Sequence, residues 1–308
     1  MRKPTGGSSA AFDTMPELPE VEIIVRELRG PLVGRRIVDV QTDWPKYFHR
    51  PKSEEDFRSC LQGRRIEGIT RRAKYILIHL NQDHLLLVHQ KISGHLQMGK
   101  WVWKPTGSQG ASRWQPVDSG DKVRRGGRFI HLIFELDNGE QLGLSDLRKF
   151  AKVMCGPERA ILDLPELRDL GPEPLSPHLT FPKFERLFVR KRGSLKEVLM
   201  DPMFIAGIGN LYSDEILYSA RLHPLTRVEH LKTPQLRILY RSMRAVLRKA
   251  IRLGATGQRA PDGSKRGYDR VLVVYGREGQ PCPRGHLIQR IKVGGRSAHF
   301  CPVEQLRL

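Results

Sequence analysis

Between Arg35 and Val153 every clear apolar run has strand length, and no helical spacer separates one run from the next. Ile37–Val40, Tyr75–Leu80, His84–His89, Phe129–Leu136 and Gln141–Leu144 are the clearest, bounded by turn signals such as Asn138-Gly139. Parallel strands need long crossover connections, usually helical, so this pattern predicts a mainly antiparallel sandwich or barrel rather than βαβ units. The segment from Lys100 to Arg128, with several Gly and Arg, reads as a long loop or insertion. A single helix precedes the strands: Val21, Ile24, Val25 and Leu28 share one face, with Pro19 in the first turn and Gly30-Pro31 as the expected stop.

After the strands, Leu164–Pro182 carries five prolines and marks a boundary. Beyond it the periodicity turns helical over Phe184–Arg190, Leu195–Met200, Leu211–Ala220 and Pro234–Leu253. In the last of these, Leu236, Leu239, Met243, Val246, Leu247 and Ala250 form the apolar face. Arg237, Arg241, Arg244 and Arg248 form a second stripe, read either as a solvated face or as a phosphate-facing one. Residues 254–270 read as a linker or a mobile lid. Val271–Tyr275 and Leu287–Val293 are strand-like runs of a small hairpin module that ends with Cys301. The fold class is therefore α+β, with an extension over 1–15, a β domain over 16–163, a linker over 164–182, a helical domain over 183–270 and a hairpin over 271–308.

The charge narrows the function. Fifty-three Lys and Arg against 33 Asp and Glu give a net charge of +20, which predicts a polyanionic partner, nucleic acid first. No apolar run approaches the roughly 20 residues of a membrane span, and residues 1–14 lack the apolar core of a secretory signal. Cys60, Cys155, Cys282 and Cys301 are too few and too scattered for a disulfide framework, so a reducing cytoplasm is the expected compartment.

Chemistry enters at Met15-Pro16-Glu17. Were Met15 the true start and removed, Pro16 would present a secondary amine. An α-amino group titrates near pH ~7.7–8.0 and is a nucleophile for an aldehyde-like carbon. Inside an intact chain the same nitrogen is an inert amide. Met15 is expected to be the physiological start, and Glu17 supplies a carboxyl beside the amine.

Six stretches occur in order: PELPEVE at 16–22, RRAKYIL at 71–77, DLRKF at 146–150, LGPEPL at 170–175, GIGNLYSDEIL at 207–217, and VYGREGQPC followed by GGRSAHFC. From Met15 onward the chain resembles the formamidopyrimidine-DNA glycosylase / endonuclease VIII family, and Leu18-Pro19 points to its formamidopyrimidine branch. The resemblance implies an N-terminal β-sandwich, a helix-two-turn-helix domain and a β-hairpin finger. It also implies a monomer in the bacterial nucleoid that removes oxidised purines from damaged double-stranded DNA and cleaves the strand. By resemblance Pro16 is the nucleophile, Glu17 the general acid/base, and Lys74 a contact to the phosphate beside the lesion. Ile92, Arg148 and Phe150 stand at the positions that fill the gap left by a flipped base, with Ile92 where the family usually has methionine. Asn210 and Arg296 match its phosphate contacts.

The finger departs from the pattern. The family usually supplies two Cys-x-x-Cys pairs, whereas this chain reads Cys282-Pro283-Arg284-Gly285-His286 and Cys301-Pro302-Val303-Glu304. His286 and Glu304 could complete a zinc site. The usual structural zinc sites use only Cys and His, so the residues favour a finger held without metal. Catalysis is expected to need no cofactor.

Overall fold

The computed structural model describes residues 15–106, 111–117, 129–256 and 267–307; the expected disorder of residues 1–14 lies outside the described residues. The first helix, α1 (Leu18–Leu32), buries Leu18, Val21, Ile24, Val25, Leu28 and Leu32 along one stripe. It does not stop at Gly30-Pro31. Pro31 lies in the last turn, where its missing N–H removes one bond, and the fully buried Leu32 draws that turn into the core.

The β domain follows, with β1 (Ile37–Thr42), β2 (Phe48–Arg50), α2 (Glu54–Leu61), β3 (Ile66–Arg72), β4 (Tyr75–Leu80), β5 (His84–His89), β6 (Gly94–Gly99), β7 (Trp101–Thr106), β8 (Ala111–Pro116), β9 (Ile130–Leu136), β10 (Gln141–Asp146) and β11 (Lys152–Pro157). One sheet runs β1-β9-β10-β6 and is antiparallel; the other runs β2-β11-β5-β4-β3, with β2 parallel to β11. Side chains from both sheets and from α1 share one core that includes Ile37, Phe134, Leu144, Ile76, Val88 and Val153. That is the expected sandwich.

Two expectations fail here. The segment read as a loop from Lys100 contains a hairpin, β7 paired with β8, and only 107–110 and 118–128 lie outside the described residues. Trp101 and Trp114 are buried with Ile130 and Ile133. Gly99 and Gly143 leave room for the Trp101 indole, since a Cβ at either would approach it to 2.5 and 2.8 Å. The scattered cysteines also do not all stay apart: Cys60 of α2 and Cys155 of β11 are joined in a disulfide across 95 residues of chain. The helix packs on that strand, so distance in sequence is not distance in space.

The second half holds α3 (Glu158–Leu162), α4 (Pro165–Arg168), α5 (Phe181–Arg186), α6 (Leu195–Met200), α7 (Asn210–Ser219) and α8 (Thr233–Leu253), then β12 (Gln289–Val293) and β13 (Arg296–Phe300). Helix α5 starts and ends earlier than the run Phe184–Arg190 suggested. The apolar faces of α5 to α8 close on a separate core around Phe184, Leu199, Tyr212, Leu239, Met243 and Leu247. The arginine stripe divides. Arg244 donates to the carbonyls of Pro174 and Ser176, and Arg237 stacks on Phe181 at 4.1 Å, while Arg241 and Arg248 are exposed. Among the described residues no helix is long and apolar enough to cross a membrane.

The run Val271–Tyr275 is not a strand. Its backbone N–H groups at Val273, Val274 and Tyr275 all donate to the buried Glu215 carboxylate of α7, at 2.9 to 3.1 Å. A side-chain acceptor thus replaces a neighbouring strand. Glu215→Ala would leave these donors unpaired and should cost about 3 kcal/mol, read as a lower denaturation midpoint for the helical half of the chain.

Candidate active site and nucleic-acid interface

Pro16 lies partly exposed two residues ahead of α1, and Glu17 beside it is only 4% exposed. Its carboxylate crosses to the helical half and accepts from the N–H groups of Gly209 (2.6 Å), Leu211 (2.8 Å) and Tyr212 (3.3 Å). These are unpaired donors at the start of α7, where the helix dipole also favours negative charge. Burial nevertheless raises the Glu17 pKa above the usual carboxylate value, against the lowering by Lys74 and by the Leu211 and Gly209 N–H groups. Lys74 is shifted the other way, its pKa lowered first by burial, with Glu17 opposing. Burial thus draws the two groups toward each other in proton affinity.

Lys74 is placed by its neighbours. Ala73 turns the chain between β3 and β4 at φ +53, and its N–H donates to Glu173 at 2.6 Å. Glu173, in the proline-rich stretch, also pairs with Arg71 (2.8 Å) and Arg72 (3.1 Å), and Arg71 reaches Glu22 of α1 (3.0 Å). The stretch read as a linker is therefore a clamp that fixes Lys74 against the entrance of α1. Gly209 fills the remaining space: a Cβ there would fall 2.5 Å from the Glu17 carboxyl carbon and 2.7 Å from Lys74 Nζ.

Ile92, Arg148 and Phe150 come together on two adjoining turns. Ser93 Oγ donates to Asp146 (2.5 Å) and accepts from the Arg148 N–H (2.9 Å), while the other Asp146 oxygen accepts from Ala151 N–H (2.8 Å). Lys149 adopts a positive φ of +55, which turns its neighbours outward. Phe150 is 51% exposed with the Arg148 guanidinium 5.0 Å from its ring, and Ile92 is partly exposed. None of the three is a core residue.

The sequence matches the formamidopyrimidine-DNA glycosylase N-terminal domain over residues 15–153, the H2TH domain of the same enzymes over 170–262, and the zinc finger found in FPG and IleRS over 279–303. It is 36% identical over 301 residues to the formamidopyrimidine-DNA glycosylase of Protochlamydia amoebophila, covering 94% of this chain and 99% of that protein. With the Heliobacterium modesticaldum enzyme the identity is 37% over 293 residues, again 94% and 99% of the two chains. The chain belongs to the formamidopyrimidine-DNA glycosylase family. The fold agrees: a mutant of the Lactococcus lactis FPG, solved in complex with a Fapy-dG containing DNA, superposes with a TM-score of 0.80 at 30% identity, covering 95% of this chain and 100% of that one.

Of the remaining expected residues, Asn210 and Arg296 lie near the Glu17–Lys74 pair. Asn210 is the first residue of α7 rather than its cap, which is Gly209. Its Oδ1 is buried without a hydrogen-bond partner, while its side chain also meets Tyr275. Arg296 opens β13, exposed, and near enough to Lys74 to disfavour its protonation. The finger brings Cys282, His286 and Cys301 together, their donor atoms all within 4.8 Å of one another, and Glu304 Oε1 is 3.7 Å from His286 Nδ1. Two sulfurs and an imidazole within that distance are three donors of kinds that zinc takes.

Several contributors escaped sequence reasoning. Glu20 accepts from Tyr212 OH (2.7 Å) and from the N–H of Thr256 (3.0 Å); of the linker or lid expected over 254–270, residues 257–266 lie outside the described residues. His89 lines a cleft of about 230 Å³ with Tyr75, Lys91, Lys152 and Glu166. Burial and then Lys91 push its pKa down to about 3, so it is a neutral ring. Gly209 gave no signal beyond its place in GIGN. Gly209→Ala should leave the fold intact yet lower single-turnover excision roughly 100-fold, since displacements near 1 Å at reacting groups carry that cost.

Proposed function

We propose that this enzyme excises oxidised purines, 8-oxoguanine and formamidopyrimidines, from duplex DNA and then cleaves the strand as an AP lyase. The observation that carries the reading is the placement of Glu17, directly after Pro16, on the N-terminus of α7 and against Lys74. With Pro16 as the free N-terminal residue, its nitrogen lone pair attacks the anomeric carbon of the damaged nucleotide and the base departs with a proton. Glu17, whose pKa burial raises, protonates the sugar ring oxygen, the ring opens and an iminium forms. The neighbouring sugar carbon then loses a proton and the 3′ phosphate leaves; a second proton loss expels the 5′ phosphate. Water releases the sugar fragment and restores the amine. No step calls on a cofactor.

The other residues serve the flipped state. Lys74, Asn210 and Arg296, all near Glu17 or Lys74, hold the phosphates that flank the lesion. Extruding a nucleotide costs a few kcal/mol in lost stacking, and Phe150, Arg148 and Ile92 fill the space it vacates. Isoleucine is shorter and stiffer than methionine, so more of the wedge falls to Phe150 and Arg148. Working alone on a duplex, the protein acts as a monomer, in the cytoplasm beside the nucleoid. A Lactococcus lactis Fpg has been solved with an oxidized pyrimidine containing DNA. Oxidised pyrimidines therefore belong in any lesion panel as the alternative substrate.

Borohydride trapping tests the proposal. Protein shown by intact mass to begin at Pro16 should form a covalent adduct with abasic-site duplex, and protein retaining Met15 should not. Absence of an adduct from the Pro16-initiated chain would sink the mechanism. Glu17→Gln should suppress excision of 8-oxoguanine while the amine remains available.

A further inference from the structure

Behind Asn210 and Arg296 runs a line of buried charged groups that the excision chemistry does not use. The side chains of Lys196 in α6 and Asp214 in α7 are fully buried, and His299 of β13 is buried beside them. We propose that Asp214 and His299 are positioning residues for DNA binding: together they pin the β12–β13 hairpin to α7 and so set Arg296 in register with the seat of Glu17. This rests on the proposed reading of Arg296 as a phosphate contact.

The two Asp214 oxygens serve different elements. Oδ1 accepts from Lys196 Nζ at 2.5 Å, and the same ammonium donates to Ser213 Oγ (3.1 Å) and to the Asn210 carbonyl (3.3 Å). Oδ2 accepts from the His299 backbone N–H at 2.9 Å and from its ring Nδ1 at 3.0 Å. An ionised carboxylate offers only acceptors, so the ring carries a proton on Nδ1. Three elements, α6, α7 and β13, thus meet on one side chain. At the far end of the line stands Asn210, and the N–H groups on either side of it, from Gly209 and Leu211, are the ones that hold Glu17.

The hairpin cannot set Arg296 alone. It is a two-stranded sheet, and such a ribbon is marginal by itself. Arg296 follows Gly294-Gly295, pairs with Val293 across the hairpin and is exposed. His299 lies three residues on, so strand alternation turns it to the opposite face, into the helical half. The turn itself sits on α6, where a Cβ at Gly294 would fall 2.7 Å from Glu197 Oε1. Ala298 is buried and Phe300 packs edge-on against the His223 ring, but apolar contact is non-directional and does not fix register. Two hydrogen bonds to one buried oxygen do. A buried ion pair gains little over apolar residues of the same volume, and what it supplies here is the choice of which atoms meet.

A double-mutant cycle tests this, on full chains that begin at Pro16, read as Kd for a duplex carrying a tetrahydrofuran abasic analogue over a series of salt concentrations. Arg296→Ala should weaken binding roughly 10-fold and reduce the slope of log K against log salt by about 0.9, one phosphate contact. His299→Phe fills the same space and keeps the backbone bond to Asp214 but loses the ring donor. It should lower affinity and slope toward the Arg296→Ala values, and the double variant should bind no more weakly than Arg296→Ala alone. Single-turnover excision by His299→Phe at saturating enzyme should stay within about twofold of wild type, since the loss falls on binding. His299→Asn, whose side-chain amide N–H stands where Nδ1–H stood, should recover wild-type binding. Asp214→Asn should show the same non-additivity with Arg296→Ala, so the outcome does not hang on one variant folding. Losses that multiply in the double variants, or a His299→Phe protein with a lower melting temperature and an unchanged salt slope, would make the pair a structural contact only and overturn the proposal. An unchanged slope in Arg296→Ala would instead remove Arg296 from the phosphate track, and the positioning role would fall with that earlier reading.

Discussion

One carboxylate joins the two halves of this molecule. Glu17 enters from the start of α1 and takes three N–H groups from the start of α7, 192 to 195 residues away. Each of those donors would otherwise face a buried surface unpaired, and each bond to a charged acceptor is stronger than a neutral one. Yet the Glu17 pKa is raised, so burial outweighs the donors and Lys74 together. The same contact therefore holds the domains in register while its N–H donors pull the Glu17 pKa down against burial. Loosening it would take away donors that favour the carboxylate, and removing it would detach the amine end from the helical half. The Leu18 N–H bond to Gly207 O at 3.0 Å and the Tyr212–Glu20 bond reinforce the same seam.

Local pattern carried the secondary structure well where burial is one-sided, as on α1 and α8, or where runs are strand-length and bounded by turns. It failed where a distant partner decides the outcome. Val271–Tyr275 has the apolar content of a strand, but its N–H groups find the Glu215 carboxylate, which no window of sequence includes. The hairpin from Trp101 to Pro116 is polar enough to read as loop, and the buried Trp101 and Trp114 rings, Trp101 seated against Gly99 and Gly143, together with the Trp101 N–H bond to Gln141, hold it to the sheet. Cys60 and Cys155 meet because α2 crosses β11, a fact of topology rather than spacing.

The functional residues were legible through resemblance, their supports were not. RRAKYIL and LGPEPL were separate motifs in the sequence; in the fold they are two sides of one ion-pair cluster, with Glu173 bridging Arg71, Arg72 and the Ala73 N–H. Asp146 was quoted only as the start of a motif, although it ties the Ile92 turn to the Arg148 turn through Ser93. Such residues act by fixing others, so their chemistry is ordinary hydrogen bonding and no residue type announces it.

The net charge of +20 is a guide to long-range attraction and a poor guide to contact. Every arginine adds to the field that steers a polyanion, whatever its local partners. Binding at the surface depends instead on which cations have side chains free to displace counterions from phosphate. Arg71 and Arg72 are committed to Glu173, and Arg244 to the carbonyls of Pro174 and Ser176. Arg148, Arg241, Arg248 and Arg296 are exposed. On α8, Arg244 is taken up by packing while Arg241 and Arg248 stay exposed. On the proposed function, the contacts to a distorted duplex come from the Arg148 turn, held by Asp146 through Ser93, from Lys74, held by the Glu173 cluster, and from the exposed Arg296 of the finger.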